Sequence, residues 1–154
     1  VLSILFSFYG SAAKAIYMIL LASILDRLDG MAARKFNTVS EIGLQLDSLA
    51  DLISFGLAPA ILVFIFKFSH LKGAPLVITG VITLFYILSA GYRLARYNTT
   101  GIVSGAFSGV PSTICGIFMA ATMIIGRGIP PQVYAFLLAF CGYLMISKLK
   151  IQKR

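Results

Sequence analysis

The sequence predicts an all-α membrane protein with six transmembrane helices, because the chain is apolar over long stretches and carries few charges. Of its 154 residues, 59% are hydrophobic and 12% are charged, and the mean hydropathy is +0.96. A soluble domain carries about 25% charged residues. Long apolar stretches with so few charges between them are typical of a chain that crosses the bilayer repeatedly.

The predicted helices are separated by short turns rich in glycine, proline and polar residues. The first apolar segment, residues 1–9, ends at a Gly-Ser pair, and we interpret it as a truncated first span whose beginning precedes this sequence. A bilayer crossing takes about 20 residues. Five further stretches approach that length, with approximate bounds of 12–34, 43–66, 76–95, 110–125 and 132–147. We expect a single transmembrane domain over residues 1–154, with a loop at 98–109.

The basic residues predict how the chain is oriented in the membrane. One side carries the basic residues at the ends of the second, fourth and sixth predicted helices, namely Arg27, Arg34, Lys35, Arg93, Arg96, Lys148, Lys150, Lys153 and Arg154. The opposite side carries Lys14, Lys67, Lys72 and Arg127. The positive-inside rule makes the first side cytoplasmic, in a cytoplasmic membrane of the prokaryotic type. We do not interpret the net charge of +8 as nucleic-acid binding, because no basic patch is interleaved with exposed aromatic residues.

The acidic residues all lie in one short stretch and form two pairs. They are Asp26, Asp29, Glu41, Asp47 and Asp51. The first two aspartates are three residues apart and the last two are four apart, so each pair occupies one helix face, about 60° and 40° wide. The polar stretch 35–40 allows the two helices to turn back on each other. Four carboxylates can therefore converge at the cytoplasmic end of a two-helix hairpin.

The converging carboxylates predict a site for one or two divalent cations, Mg²⁺ or Mn²⁺. Four unpaired carboxylates in one pocket would repel each other strongly, and oxygen donors without Cys or His suit hard ions. Such ions could bind a diphosphate and polarise its phosphorus for attack. Gly30 and Ala33 leave room for a ligand against the helix, and Arg34 supplies a fixed cation suited to phosphate. A simpler interpretation pairs the first two aspartates with neighbouring arginines, but it leaves the second pair unexplained.

The acidic stretch also resembles a known family signature. DRLDGMAARKFNTVSEIGLQLDSLAD reads D-x2-D-G-x2-A-R-x8-G-x3-D-x3-D, which resembles the signature of the CDP-alcohol phosphatidyltransferase family at every fixed position. Members of this family have six transmembrane helices and usually form homodimers. They transfer a substituted phosphate from a CDP-activated donor to an alcohol and release CMP. The resemblance covers the whole chain.

The resemblance implies a role for each signature residue. The divalent ions on the donor diphosphate would be ligated by Asp26, Asp29, Asp47 and Asp51. Asp51 would also be the catalytic general base that takes the proton of the acceptor hydroxyl, which is a poor nucleophile without a base nearby. The cytidine nucleotide would be bound by Asp29, Gly30, Ala33, Arg34 and Gly43.

Three further stretches are similar to the branch of the family that uses CDP-diacylglycerol as donor and L-serine as acceptor. They are DSLADLISFGLAPA, RLARYN and FSGVPS, and the Ser54-Phe55-Gly56 part of the first is the most discriminating. Arg93 and Arg96 are three apart at a helix end, so they can face one pocket and bind the serine carboxylate. Asn98 could bind serine or a phosphate oxygen, and Ser54 is assigned to the same acceptor and phosphate site.

Two other functions remain open. The acceptor could be inositol phosphate or glycerol phosphate, with the same chemistry. A non-enzymatic carrier of divalent cations could use the same aspartates, but it would have no need of Gly30, Ala33 and Arg34, which suit a nucleotide. We interpret the tyrosines, Tyr86 and Tyr134 among them, as membrane-interface or packing residues.

Overall fold

The computed structural model describes residues 1–35, 41–101, 107–126, 128–147 and 150–151. Side chains are described over the same ranges except at 32–35, 41, 100–101, 107–108 and 150–151. In chain order the elements are α1 Leu2–Phe8, α2 Ala12–Lys35, α3 Glu41–Asp51, π1 Leu52–Leu57, α4 Ala58–Val63, π2 Phe64–Phe68, α5 Ala74–Arg96, π3 Tyr97–Gly101, β1 Phe107–Ser108, α6 Ser112–Ile125, α7 Pro131–Ile146 and β2 Lys150–Ile151.

These elements form six helices in the described part of the chain, which confirms the predicted number. α3, π1, α4 and π2 follow one another without a break, so the third helix changes its pitch twice, and π3 extends α5 by one wide turn. The predicted loop at 98–109 is wrong at its start, because residues 98–101 belong to π3. Its middle, 102–106, lies outside the described residues, and its end contributes β1, which pairs antiparallel with β2.

The helix boundaries follow from glycine and proline. Gly10 and Gly73 have φ angles of +72° and +67°, which side chains with a Cβ rarely adopt, and each lies in the turn before a helix. Pro75 and Pro131 occupy the first turns of α5 and α7, where the missing N–H costs no hydrogen bond. The turns predicted from these residues therefore lie where the sequence placed them.

The outward face of α5 is apolar, whereas its inward face includes polar side chains. On α5 the outward face carries Val77, Val81, Leu84 and Leu88, which are 60–70% exposed, while buried positions of the same helix include threonine and serine. In water this arrangement would expose the apolar stripe, whereas in a bilayer the stripe faces lipid. By length and composition, two described helices can cross a membrane, Ile42–Phe68 and Ala74–Thr99, and two shorter apolar ones are Ser112–Ile125 and Pro131–Ile146.

Contacts of Lys67 join one end of the bundle, and helix packing holds the rest. At the end away from the aspartates, the Lys67 ammonium donates to the backbone carbonyls of Gly126 and Ile129 at 2.9 and 3.2 Å and lies 4.8 Å from the centre of the Tyr134 ring. Along the bundle, α5 packs against α7, and α2 packs against α1 and α6. The third helix runs through the middle, and its Phe55 is buried completely.

Gly116 on α6 is the point of closest approach between α6 and π1. A Cβ at this position would lie 2.9 Å from both the Cα and the carbonyl oxygen of Phe55. We expect Gly116→Ala to lower the free energy of unfolding by about 1–3 kcal/mol, because backbone atoms cannot move aside as a side chain can. Thermal unfolding in detergent measures the change. Gly80→Ala is the matched control, since its Cβ would meet only a Phe64 ring carbon at 3.9 Å, and an equal loss in both variants would contradict this prediction.

Candidate active site

The two aspartate pairs come together where α2 passes the junction of α3 and π1. The Asp51 carboxyl group lies within hydrogen-bond reach of the Asp26 carboxyl group. Asp47 lies near enough to Asp26 and Asp29 for their negative charges to repel its own. Asp26 and Asp51 are half-buried, while Asp29 and Asp47 are exposed. The two helices therefore bring all four carboxyl groups into one region, with Asp26 and Asp51 nearer the inside of the bundle and Asp29 and Asp47 nearer its surface.

Carboxyl groups this close need a proton or a cation between them, since two bare carboxylates at hydrogen-bond distance repel strongly. The donors are all oxygen atoms, which fits a hard divalent ion such as Mg²⁺ or Mn²⁺. Among the residues that the structure describes, no three His, Cys, Asp or Glu side chains are gathered tightly enough to form a ready-made metal cluster. A bound ion would therefore draw the carboxylates closer or complete its coordination with ligand oxygens.

Arg93 lies beside the aspartates, in the last turn of α5. Its Nη1 atom donates to the hydroxyl of Ser112 at 2.9 Å, and its charge attracts that of Asp51. Its Nε atom is buried and has no hydrogen-bond partner within the described part of the chain. An N–H group buried without a partner costs free energy, so this atom is a ready donor for an anionic ligand next to Asp51.

Arg96 has different partners from Arg93, although the sequence assigned both to one pocket. Its Nη1 atom donates to the backbone carbonyl of Ile146 at 3.2 Å, and its guanidinium lies 5.7 Å from the centre of the Tyr92 ring. Ile146 is the last residue of α7, so Arg96 places a positive charge at the negative end of that helix. Part of its role is therefore to join α5 to α7.

Asn98 connects the end of the fourth helix to the third. Its amide nitrogen donates to the hydroxyl of Ser48 at 3.0 Å and to the side-chain oxygen of Gln45 at 3.4 Å. Ser48 follows Asp47 directly on α3. The Asn98 side-chain oxygen also lies 3.3 Å from the Ser48 hydroxyl, so Asn98 fixes the aspartate-bearing helix against π3.

The residues predicted to bind the nucleotide lie along the hairpin. Gly30 is exposed on α2 and Gly43 is exposed on α3. Ala33 and Arg34 lie in the last turn of α2, and their side chains are outside the part that the structure describes. Nucleotide binding by these four residues and Asp29 stays a prediction.

Ser54 lies at the junction between the aspartates and an apolar groove. The groove has a volume of about 270 Å³ and is lined by residues of α1, α2, π1 and α4, including Leu21, Leu25, Ser54 and Ala58. Leu25 directly precedes Asp26, and Ser54 is one turn beyond Asp51 on the third helix. An apolar groove thus lies within about one helical turn of Asp26 and Asp51, which suits a ligand with a charged head and an apolar tail.

Sequence analysis missed two residues that shape the site. Ser112 positions Arg93 but was noted only as part of the FSGVPS stretch, and its place as the first residue of a helix after Pro111 was the available signal. Tyr86 was interpreted as packing, yet its hydroxyl donates to the Phe55 carbonyl inside the bundle. No sequence spacing reveals that contact.

A helical bundle with clustered aspartates beside Arg93 is compatible with the membrane-embedded transferases that act on activated phosphate donors. The family model described as CDP-alcohol phosphatidyltransferase matches residues 1–147, and the chain belongs to that family. This confirms the resemblance seen in the eight-position signature.

Curated relatives fall in one part of the family. The chain is 33% identical over 143 residues to the CDP-diacylglycerol--serine O-phosphatidyltransferase of Bacillus subtilis, covering 92% of this chain and 76% of that protein. The protein of the same name from Helicobacter pylori is 27% identical over 154 residues, covering 93% and 63%. The archaetidylserine synthase of Methanothermobacter thermautotrophicus is 32% identical over 155 residues, covering 97% and 62%. The chain thus spans between three fifths and about three quarters of these relatives.

Proposed function

We propose that this chain transfers the phosphatidyl group of CDP-diacylglycerol to the hydroxyl group of L-serine, giving phosphatidylserine and CMP. The observation that carries the proposal is the convergence of four signature aspartates beside Arg93, whose buried Nε lacks a partner in the described part of the chain. The names of the relatives support serine as the acceptor, and the archaeal relative's name pairs serine with another lipid.

In the proposed reaction, Asp51 takes the proton of the serine hydroxyl as its oxygen attacks the lipid-bearing phosphorus. The new P–O bond forms to serine, the bond between the two phosphates breaks, and CMP leaves with the electron pair. A base within reach of the acceptor is required because a neutral hydroxyl is a weak nucleophile. Arg93 supports this arrangement, since its guanidinium can bind the serine carboxylate while remaining close to Asp51.

A divalent cation, Mg²⁺ or Mn²⁺, is part of the proposal. Asp26, Asp29, Asp47 and Asp51 would hold one or two such ions, and when bound they would neutralise the diphosphate and stabilise the negative charge on departing CMP. Gly30, Ala33, Arg34 and Gly43 would receive the cytidine nucleotide beside these carboxylates. The aspartates would exclude an anionic headgroup without the cation, so binding of the donor should depend on it.

The lipid part of the donor has a candidate path. The apolar groove beside Ser54 supports entry of hydrocarbon from the bilayer, because it begins next to the aspartates and is lined almost entirely by apolar side chains. Serine and CMP would exchange on the other side, where Asp29 and Asp47 are exposed. The basic residues near these helix ends support a cytoplasmic active site in a prokaryotic-type cytoplasmic membrane. We further propose a homodimer, the usual state in this family.

The test is CMP release by the purified protein in lipid nanodiscs that contain CDP-diacylglycerol and Mg²⁺ or Mn²⁺. We expect turnover with L-serine and little with inositol phosphate or glycerol phosphate, because the names of the similar relatives give serine as the acceptor. Chelation of the divalent ion should stop the reaction, and the lipid product should carry the serine headgroup. Mass spectrometry of the lipid identifies the product.

Two results would overturn parts of this proposal. Turnover with another alcohol and none with serine would refute the acceptor while keeping the family chemistry. Ion uptake without CMP release from any acceptor, together with thermal stabilisation by the ion but not by CDP-diacylglycerol plus ion, would favour a cation carrier.

A further inference from the structure

The π1 turn begins directly after Asp51 and carries Ser54, so its shape decides where both side chains point. In a regular α-helix the Phe55 carbonyl would accept a hydrogen bond from the amide of residue 59. Residue 59 is proline, which has no N–H. The backbone adopts the wider π spacing here, with the Ala58 amide donating to the Ile53 carbonyl. Wide turns of this kind recur at functional sites.

Tyr86 supplies a donor to this carbonyl from another helix. Its hydroxyl lies 3.0 Å from the Phe55 carbonyl oxygen, and both residues are at most 1% exposed. No water can reach the carbonyl at that depth, so loss of the hydroxyl would leave it short of a partner. Tyr86 therefore replaces, across helices, the hydrogen bond that Pro59 removes within one helix.

Tyr86 and Arg93 are seven residues apart on α5, which is two helical turns, so they point in the same direction. One binds the backbone of π1, and the other lies beside Asp51, the residue that precedes π1. α6 repeats this arrangement. Gly116 allows its helix to touch the Phe55 backbone, and Ser112, one turn earlier, binds Arg93. Two helices thus hold both the turn and the arginine in fixed relation.

We propose that Tyr86 is a positioning residue for the reaction: by holding the π1 turn it keeps Asp51 and Ser54 at their distance from Arg93. This inference rests on the proposed function, because it assigns the region between Asp51 and Arg93 to the acceptor. Tyr86 itself lies deep in the bundle and touches no reacting atom. Its hydroxyl affects the reaction only through the backbone, and small displacements of reacting groups are costly in rate.

The experiment compares Tyr86→Phe with the intact protein in nanodiscs, with kcat, KM for serine, KM for CDP-diacylglycerol and the unfolding temperature measured on each. The ring still fills its cavity in the variant, so only the hydrogen bond is lost. We expect kcat/KM for serine to fall about 10-fold to 100-fold. KM for CDP-diacylglycerol should change less than KM for serine, because only one of the four aspartates that would hold the donor's cation, Asp51, adjoins π1.

Tyr134→Phe is the matched control for loss of a buried hydroxyl. Tyr134 is also fully buried, and its hydroxyl donates to backbone carbonyls of Thr122 and Gly126 at 2.9 and 3.2 Å, at the end of the bundle away from the aspartates. It should lower the unfolding temperature about as much as Tyr86→Phe while leaving the kinetic constants near those of the intact protein. Equal kinetic losses in the two variants would reduce Tyr86 to a structural residue and overturn the inference.

Pro59→Ala provides a rescue, because alanine restores an amide that can donate to the Phe55 carbonyl. We expect the Tyr86→Phe, Pro59→Ala double variant to regain at least part of the serine kcat/KM lost by Tyr86→Phe. Unchanged serine constants in Tyr86→Phe, or a double variant that regains none of the kcat/KM lost by Tyr86→Phe, would refute the positioning role through the Phe55 carbonyl. An intact protein that turns over another alcohol but not serine would instead refute the proposed function, and the same variants would then be compared on that alcohol.

Discussion

Asp51→Asn is expected to lower kcat for CMP release by about 10²–10⁴-fold, the range over which a positioned general base contributes to a rate. Asparagine keeps the size of the side chain but cannot take the serine proton. It also removes one negative charge from the group around Asp26. Steady-state CMP release and direct binding of CDP-diacylglycerol, measured on the same preparation, separate the loss of chemistry from the loss of donor binding.

Glu41→Gln is the control for this prediction. It removes the acidic residue that lies in the same stretch but outside the eight-position signature, so it changes the net charge equally. We expect its kcat to stay within about twofold of the intact protein, because Glu41 has no part in the proposed proton transfer. An Asp51→Asn variant that kept a comparable rate would exclude Asp51 as the base and leave it a cation ligand at most.

The aspartate site was predictable because its geometry is local. Spacings of three and four residues place each pair on one helix face whatever the rest of the chain does. A short polar connection then brings the two faces together. The structure needed to add only the relation between the pairs, which puts Asp51 against Asp26 rather than leaving the four carboxylates evenly spread. Packing also decides which aspartate of each pair is more buried, namely Asp26 in the first pair and Asp51 in the second.

The π turns could not be predicted, because they depend on contacts distant in sequence. In the stretch after Asp51, Gly56 and Pro59 weaken a regular helix, but neither specifies a π turn. Two other helices contact this wide turn: Tyr86 donates a hydrogen bond to the Phe55 carbonyl, and Gly116 lies against the Phe55 backbone. Similarly, the polar composition near Asn98 favoured a loop, but bonds from Asn98 to Gln45 and Ser48 accompany a continued helix. Tertiary contacts here outweigh local propensity.

The two arginines of the RLARYN stretch lead to the second large effect. Sequence spacing put Arg93 and Arg96 on one pocket, because residues three apart share a helix face. The structure gives them different partners: Ser112 for Arg93 and the Ile146 carbonyl for Arg96. The Ile146 carbonyl that Arg96 binds is at the end of α7. Arg93 instead lies beside Asp51, and its Nε atom has no hydrogen-bond partner among the described residues.

Arg93→Lys is therefore expected to raise KM for serine by about 10-fold to 100-fold, the equivalent of losing a hydrogen bond to a charged group. Lysine keeps the positive charge but has no planar fork, so it cannot bind Ser112 through one nitrogen and offer a second nitrogen to a carboxylate. Initial rates of CMP release over a range of serine concentrations measure the change. KM for CDP-diacylglycerol should move less, since the predicted nucleotide residues lie on the α2–α3 hairpin.

Arg96→Lys is the direct comparison, because the chemical change is the same and the position is one turn away. A lysine there can still place its charge at the end of α7, so the change in KM for serine should be no more than about threefold. Equal increases in both variants would restore the shared pocket that the sequence predicted. An increase confined to Arg96→Lys would move the acceptor site toward α7 and away from Asp51, which would also remove the geometric basis for Asp51 as the base.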